Sequence, residues 1–278
     1  MVSVRTTLRP AARLQPVSDA WAAGAAYQGF MGRWSRLLAP RFVSWLRVRP
    51  GASWLEAGCG TGALAHAICA AAAPAAVVGC DPSEPFIAYA RDHQADPRVS
   101  FLVAGVGQLP TRRGGFDSLT SLLALNFFPD PRAAIEEMRG KAAPSGLVSA
   151  CVWDYAGRME LLRYFWDSAA AVDGRAAELD EGRRFPICQP DALESLFRSC
   201  GLADVVSGSI EISTRFSTFD DYWRPFLGNT GPAPSFVGTL SAEKREALAA
   251  RVERQLPREP GGAIPLVARA WVVRGVAS

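Results

Sequence analysis

Apolar positions between Trp34 and Leu46 (Trp34, Leu37, Leu38, Phe42, Trp45, Leu46) recur at helical spacing, with a bend expected at Pro40. Arg49-Pro50-Gly51 then turns the chain into a short apolar strand, Ser53–Ala57. A glycine loop, Gly58–Gly62, leads into an alanine-rich helix that stops near Pro74. The alternation continues with strand Ala76–Cys80, helix Ser83–Gln94, strands Val99–Val103 and Phe116–Leu123, helix Pro131–Ala142 and strand Leu147–Trp153. Apolar strands alternating with helices of about a dozen residues predict a parallel sheet covered on both faces.

After Trp153 the rhythm breaks. Glu160–Val172 predicts an extra helix, Asp173–Arg184 is charged and loop-like, and Asp191–Cys200 is helical with Gly201 just past its end. Val205–Ile212 predicts a strand, Phe219–Phe236 is aromatic but broken by Gly and Pro, Ser241–Gln255 is a charged helix, and Leu266–Val273 is a last strand. The expected fold class is α/β: a Rossmann-like, doubly wound, mostly parallel seven-stranded sheet with helical lid insertions. There is no internal repeat.

Composition adds exclusions. At 278 residues, with 49% hydrophobic and 21% charged, the chain is an ordinary globular one and needs no disulfide or metal staple. A net charge of +3 gives no reason to expect a nucleic-acid or membrane partner. Six scattered cysteines without a C-x-x-C pair point to free thiols in a reducing compartment, so the cytoplasm is the expected location and no metal is expected. The N-terminus has Arg5, Arg9 and Arg13 but is interrupted by Pro10 and Pro16, and it lacks the apolar core of a secretion signal. It reads as a solvated tail.

The candidate chemistry lies in Trp54-Leu55-Glu56-Ala57-Gly58-Cys59-Gly60-Thr61-Gly62, between a strand and a helix. Glycines there let backbone approach a ligand, and the helix start adds unpaired N–H groups and a positive dipole end. Asp81 closes the second strand at the distance where an acid reaches ribose hydroxyls. Gly58, Gly60 and Ala63 also fit the dinucleotide fingerprint, so the glycines alone leave the cofactor open. Glu56, two residues before the first glycine, favours a cationic amine over a pyrophosphate.

Beyond these residues, Cys80-Asp81-Pro82-Ser83, Gln108-Leu109-Pro110, Gly115-Phe116-Asp117-Ser118, Asn126-Phe127-Phe128-Pro129-Asp130-Pro131 and Pro144-Ser145-Gly146 follow in order. Together with the glycine motif they make about residues 50–155 resemble the class I S-adenosylmethionine-dependent methyltransferases, in particular the ubiquinone/menaquinone-type small-molecule branch. Tyr27–Ser35 is similar to the cofactor-covering segment ahead of such domains. The resemblance implies a loose tail over 1–20, a helical covering segment over 21–50, a cofactor-binding core over 51–155, a lid insertion over 156–186, and the rest of the sheet over 187–278 with a second lid at about 216–240.

It also implies S-adenosyl-L-methionine as cofactor, bound by Tyr27, Arg33, Glu56, Ala57, Gly58, Cys59, Gly60, Asp81, Pro82, Phe86, Gly105, Val106, Leu123 and Leu125. Glu56 and the Gly58–Gly60 backbone would hold the methionine end, with Arg33 on its carboxylate. Asp81 would take the ribose, Pro82 and Phe86 the adenine, and Leu123–Leu125 would border the methyl. Where the family usually has Gly-Asp-Ala, this chain has Ala104-Gly105-Val106, so the acid that often meets adenine is missing.

The expected partner is a small methyl acceptor, apolar or aromatic, judged from Tyr164, Phe165, Trp166, Phe185, Tyr222, Trp223 and Phe226 in the two insertions, and the expected state is monomer or homodimer. No catalytic residue is assigned; Asn126, Asp154 and Tyr155 are candidates by position only. Plainer readings stand beside these. Glu56 could cap a helix, Asp81 could shape a turn, Phe219, Tyr222, Trp223 and Phe226 at helical spacing could be core, and His66, His93 and Cys59 read as structural. A nicotinamide oxidoreductase, another S-adenosylmethionine-using transferase or cyclase, and a non-catalytic binding protein remain as rival functions.

Overall fold

The computed structural model describes residues 27–228 and 231–277, so the expected tail over 1–20 and the first residues of the covering segment lie outside the described residues. A π-helical turn, Gln28–Gly32, runs directly into α1 (Arg33–Leu46), which continues through Pro40. Then come β1 (Ser53–Ala57), α2 (Ala63–Ala71), β2 (Ala76–Asp81), α3 (Glu84–Asp92), β3 (Val99–Val103) and β4 (Phe116–Leu122). After a 3-10 turn at Leu125–Phe127 follow α4 (Pro131–Gly140) and β5 (Ala142–Trp153). Helices are started where the sequence offers acceptors: Ser83 caps α3, and Asp130 caps α4 through the Ala133 amide at 3.0 Å.

The seven strands form one sheet in the order β3-β2-β1-β4-β5-β7-β6, where β6 is Leu202–Ser213 and β7 is Val267–Ala277. The first five pair in parallel and β7 pairs antiparallel with both β5 and β6, as a doubly wound, mostly parallel sheet requires. All five residues of β1 are buried, because helices cover both faces of its part of the sheet. The chain winds outward from β1 to β3 and returns to place β4 beside β1. That reversal opens a crevice at the carboxyl ends of β1 and β4. Asp117 ties the two strands at the opposite end, accepting from the Ser53 amide at 2.8 Å and from Arg49 at 2.6 Å.

The second half differs from the sequence reading in one stretch. Asp173–Arg184 folds into two short helices after α5 (Glu160–Val172): α6 (Ala176–Leu179) and α7 (Glu181–Arg184). Its charges are used locally. Asp180 caps α7 through the Gly182 amide at 2.8 Å and pairs with Arg163 at 2.5 Å, while Asp173 binds Arg175 at 2.7 Å and Lys244 at 2.9 Å. The remaining helices are α8 (Pro190–Ser199), α9 (Phe219–Trp223) with a 3-10 turn at Arg224–Leu227, α10 (Pro232–Gly238) and α11 (Ala242–Gln255). No helix among the described residues is long and apolar enough to cross a membrane.

The insertions build their own core. Phe165 stacks on Phe226 with centroids 4.5 Å apart and planes 3° off parallel, and Phe236 and Trp223 pack around the same ring. The Tyr222 hydroxyl donates to the Leu161 carbonyl at 2.8 Å, and the Trp166 indole N–H donates to Glu181.

Candidate cofactor and acceptor site

A cavity of about 480 Å³ occupies the crevice at the β1/β4 reversal. Glu56, at the penultimate position of β1, and Asp81, the last residue of β2, both line it. Between them run Gly58, Cys59 and Gly60. Gly58 (φ +75°) passes so close to the β4 loop that a Cβ would lie 2.4 Å from that of Ala124. Gly60 (φ +50°) is the reverse: a Cβ would meet nothing within 4 Å and would occupy open space at the cavity wall.

The loop's N–H groups are already spent. Gly58 and Cys59 donate to the Cys80 carbonyl at 2.8 and 2.9 Å, and Gly60 donates to Asp81 Oδ2 at 2.9 Å. These three amides are engaged within the protein, so toward a ligand they contribute shape. A pyrophosphate needs free donors, which these amides do not offer.

The two acids differ in their state. Glu56 is 1% exposed and its Oε2 has no hydrogen-bond partner. Burial, followed by the nearby Asp81 carboxylate, pushes its pKa well up. Burial also raises Asp81, but the amides of Ser83 (2.9 Å) and Gly60 oppose it by hydrogen bonding the charged form. The cavity therefore holds one carboxylate fixed by two backbone donors and one whose Oε2 has no partner among the described residues.

Most of the expected contact residues gather here. Tyr27, Glu56, Gly58, Cys59, Gly60, Asp81, Pro82, Phe86 and Leu123 line this cavity. Ala57, Gly105 and Val106 line a second space of about 340 Å³ that shares Gly58, Pro82, Phe127 and Phe128 with the first. In place of the missing acid, the loop beyond Val106 is held by Glu137 of α4, which accepts from the Gly107 and Leu109 amides at 2.5 and 3.0 Å.

Two expected residues are elsewhere. Leu125 is fully buried in the 3-10 turn and lines neither space. Arg33 turns away from the cavity to pair with Asp221 at 2.9 Å, its guanidinium stacked 4.3 Å from the Trp34 ring and 4.5 Å from that of Phe216. Its place one residue after the π-helical turn aims it at the second insertion. Asp154, a positional candidate, is likewise structural: its Oδ2 accepts from Arg269 at 2.6 Å and from the Arg158 amide at 2.8 Å.

The covering segment does reach the site. Tyr27 packs on Phe86 with centroids 5.6 Å apart, and its hydroxyl lies 3.0 Å from Ser35 Oγ. Gln28 donates to Thr61 Oγ1 at 2.6 Å, which ties the π-helical turn to the glycine loop, and Met31 lines the cavity. The far wall is Phe127, Phe128, Trp153 and Tyr155. Met31 belongs to the covering segment Tyr27–Ser35, whereas Trp153 carries no motif. For Trp153 the usable signal was its place at the carboxyl end of β5, next to β4. By contrast Phe165, Trp166, Tyr222, Trp223 and Phe226 do not line the cavity; they are the core described above, which corrects their use as an acceptor wall. Cys59 is inert, its thiol pushed well up by burial and by Glu56. The ring nitrogens of His66 lie 2.9 Å from the carbonyls of Gly62 and His93.

Residues 55–150 match the family described as Methyltransferase domain. No curated protein matches the chain. Among solved structures, a chain of the Haloferax volcanii complex between the Trm112 methyltransferase activator and a methyltransferase is 21% identical, with a TM-score of 0.55 over 93% of this chain and 96% of that one. Phosphoethanolamine N-methyltransferase 2 of Haemonchus contortus, solved with S-adenosyl-L-methionine, is 14% identical, with a TM-score of 0.56 over 92% of this chain and 57% of that one. A methyltransferase from an antibiotic biosynthesis pathway of Anabaena variabilis is 17% identical, with a TM-score of 0.57 over 86% of this chain and 98% of that one. At these identities the structures speak for the fold. The matched segment, residues 55–150, spans the sheet's first five strands and the crevice, within a fold shared with these methyltransferases.

Proposed function

We propose that the protein transfers a methyl group from S-adenosylmethionine to a small, neutral acceptor that is largely apolar or aromatic, in the manner of the ubiquinone/menaquinone-type branch. The observation that carries this reading is the pair of carboxylates, Glu56 and Asp81, in one cavity at the sheet's reversal point. The buried Glu56 Oε2, unpartnered among the described residues, fits an ammonium, and that charge would relieve its burial. Asp81, held by two amides, retains lone pairs for a sugar diol. The open space over Gly60 leaves room for the ligand between them.

When bound, S-adenosylmethionine supplies an electrophilic methyl on a cationic sulfur. The protein's part is to align an acceptor with that methyl and exclude water, which can contribute roughly 7–11 kcal/mol without an acid or base. Leu122, Leu123, Phe127, Phe128 and Trp153 provide a dry wall for this purpose. Among the described residues lining the cavity none is Lys, Arg or His, so a phosphate or carboxylate on the acceptor would find no counter-charge. That supports a neutral acceptor. The six cysteines are unpaired and all but Cys69 are buried, which supports a cytoplasmic setting.

The test is thermal unfolding with S-adenosylmethionine, S-adenosylhomocysteine or NADH. The first two should each raise Tm and NADH should not; stabilisation by NADH alone, or by none of the three, would overturn the reading.

A further inference from the structure

The space of about 340 Å³ that adjoins the first cavity is lined almost wholly by groups without polar side-chain atoms, Pro82, Val106, Leu109, Phe127 and Phe128 among them. Asp130 is the exception, the one polar side chain on that wall among the described residues. It stands at the start of α4, where its Oδ1 accepts from the Ala133 amide at 3.0 Å. That bond fixes the carboxylate and leaves Oδ2 without a protein partner among the described residues. Another part of the wall is the loop over residues 104–109, which Glu137 holds through the Gly107 and Leu109 amides. Both acids belong to α4 or its cap, so one helix shapes the space before any ligand arrives. Pro82 and Phe128 line both spaces, so a ligand that fills the first can continue into the second.

Direction along the crevice decides what enters this space. With an ammonium at Glu56 and a sugar diol at Asp81, the base carried by that sugar lies past Asp81, on the side of Pro82. We propose that Asp130 is the residue that selects the base, its free carboxylate oxygen accepting a hydrogen bond from the exocyclic amino group of a purine seated in the second space, an assignment that rests on the methyl-transfer reading above. A purine has two flat apolar faces and a polar edge. The faces suit Pro82, Val106 and the two phenylalanine rings, and the edge needs an acceptor for its amino hydrogens. Ala104-Gly105-Val106 has no carboxylate to offer, so the acid comes from the cap of α4 instead. Asp130 then serves through both oxygens: Oδ1 starts the helix and Oδ2 reads the base. It sets specificity for the cofactor and takes no part in moving the methyl group.

The test is calorimetric titration with S-adenosylhomocysteine and with its purine-riboside analogue, which carries hydrogen in place of the exocyclic amino group. The wild type should bind S-adenosylhomocysteine about tenfold more tightly, because the analogue leaves Asp130 without its donor. The carboxylate is exposed to water, which holds the effect near that size. Asp130→Ser should shrink the preference to within about twofold. Serine caps a helix about as well as aspartate, so Tm should stay within about 3 °C of the wild type. Asp130→Asn has a single oxygen, which the cap would occupy, and should lose the preference to the same extent. A wild type with no preference, or variants that weaken both ligands alike and so keep it, would overturn the role of Asp130. Failure of the wild type to bind S-adenosylhomocysteine at all would instead bring down the methyl-transfer reading, and this assignment with it.

Discussion

The crevice at the β1/β4 reversal and the aromatic cluster of the two insertions are both rich in buried residues, but they treat polar groups in opposite ways. In the cluster the Tyr222 hydroxyl and the Trp166 indole each have a protein partner, and rings such as Phe165 and Phe226 bury their faces on one another. In the crevice Glu56 is buried with its Oε2 unmatched among the described residues. One region is closed upon itself and stabilises the fold. The other carries unfavourable desolvation that a ligand can relieve, the usual exchange of stability for binding.

The sharpest way to break this contrast is at Asp81. If its carboxylate grips a sugar diol, Asp81→Ala removes two charge-assisted hydrogen bonds and should weaken S-adenosylmethionine binding at least about a hundredfold by calorimetry. The change also strips an acceptor from the Gly60 and Ser83 amides, so stability should fall by about 1–3 kcal/mol. Asp81→Asn, which keeps one acceptor oxygen, separates the two effects. Unchanged affinity in both variants would mean the crevice binds its ligand by other groups.

Glu181 tests whether the cluster is as settled as its packing implies. Its carboxylate is buried against Trp166, and burial pushes its pKa up to about 7. The folded form thus holds the proton more tightly than the unfolded chain. Its stabilising effect is complete below the ordinary glutamate value and is lost as pH rises through about 7. Between pH 5 and 8 the wild type should lose up to about 3 kcal/mol from this group. Glu181→Gln keeps an acceptor for the indole without the charge, so urea unfolding should show a clearly flatter pH dependence. An equally steep loss in the variant would place the cost on Glu56 and Asp81, whose pKa values shift in the same direction.

What could be read from the chain follows the range of the interactions involved. The strands and the two acids were legible because each depends on a short segment: an apolar run, a glycine loop, an acid at a strand end. The insertions were not. Helical spacing at Phe219, Tyr222, Trp223 and Phe226 says that one face is apolar, but not whether it faces a ligand or Phe165 from another segment. The charged run Asp173–Arg184 misled for a related reason: its acids cap helices and bind Arg163 and Lys244, and capping is visible only once the turns exist. Trp153 and Tyr155 became site residues through strand position alone.

Arg33 gives the smallest effect and the finest test of where the two regions meet. From the chain it reads as a partner for the cofactor carboxylate; in the fold it links α1 to the second insertion through Asp221, stacked between Trp34 and Phe216. The pair is partly exposed, so the ion pair itself contributes little, and the stacking adds roughly 0.5–1 kcal/mol. Arg33→Ala should therefore lower Tm by only about 2–4 °C. S-adenosylmethionine affinity should stay within about twofold, since no hydrogen bond to the ligand is lost. Asp221→Ala should produce the same small loss, and the double variant should be less than additive, because both remove one contact. A tenfold loss of affinity confined to Arg33→Ala would instead mean that the guanidinium leaves Asp221 when ligand binds, and the boundary between the self-satisfied cluster and the ligand crevice would move to include α1.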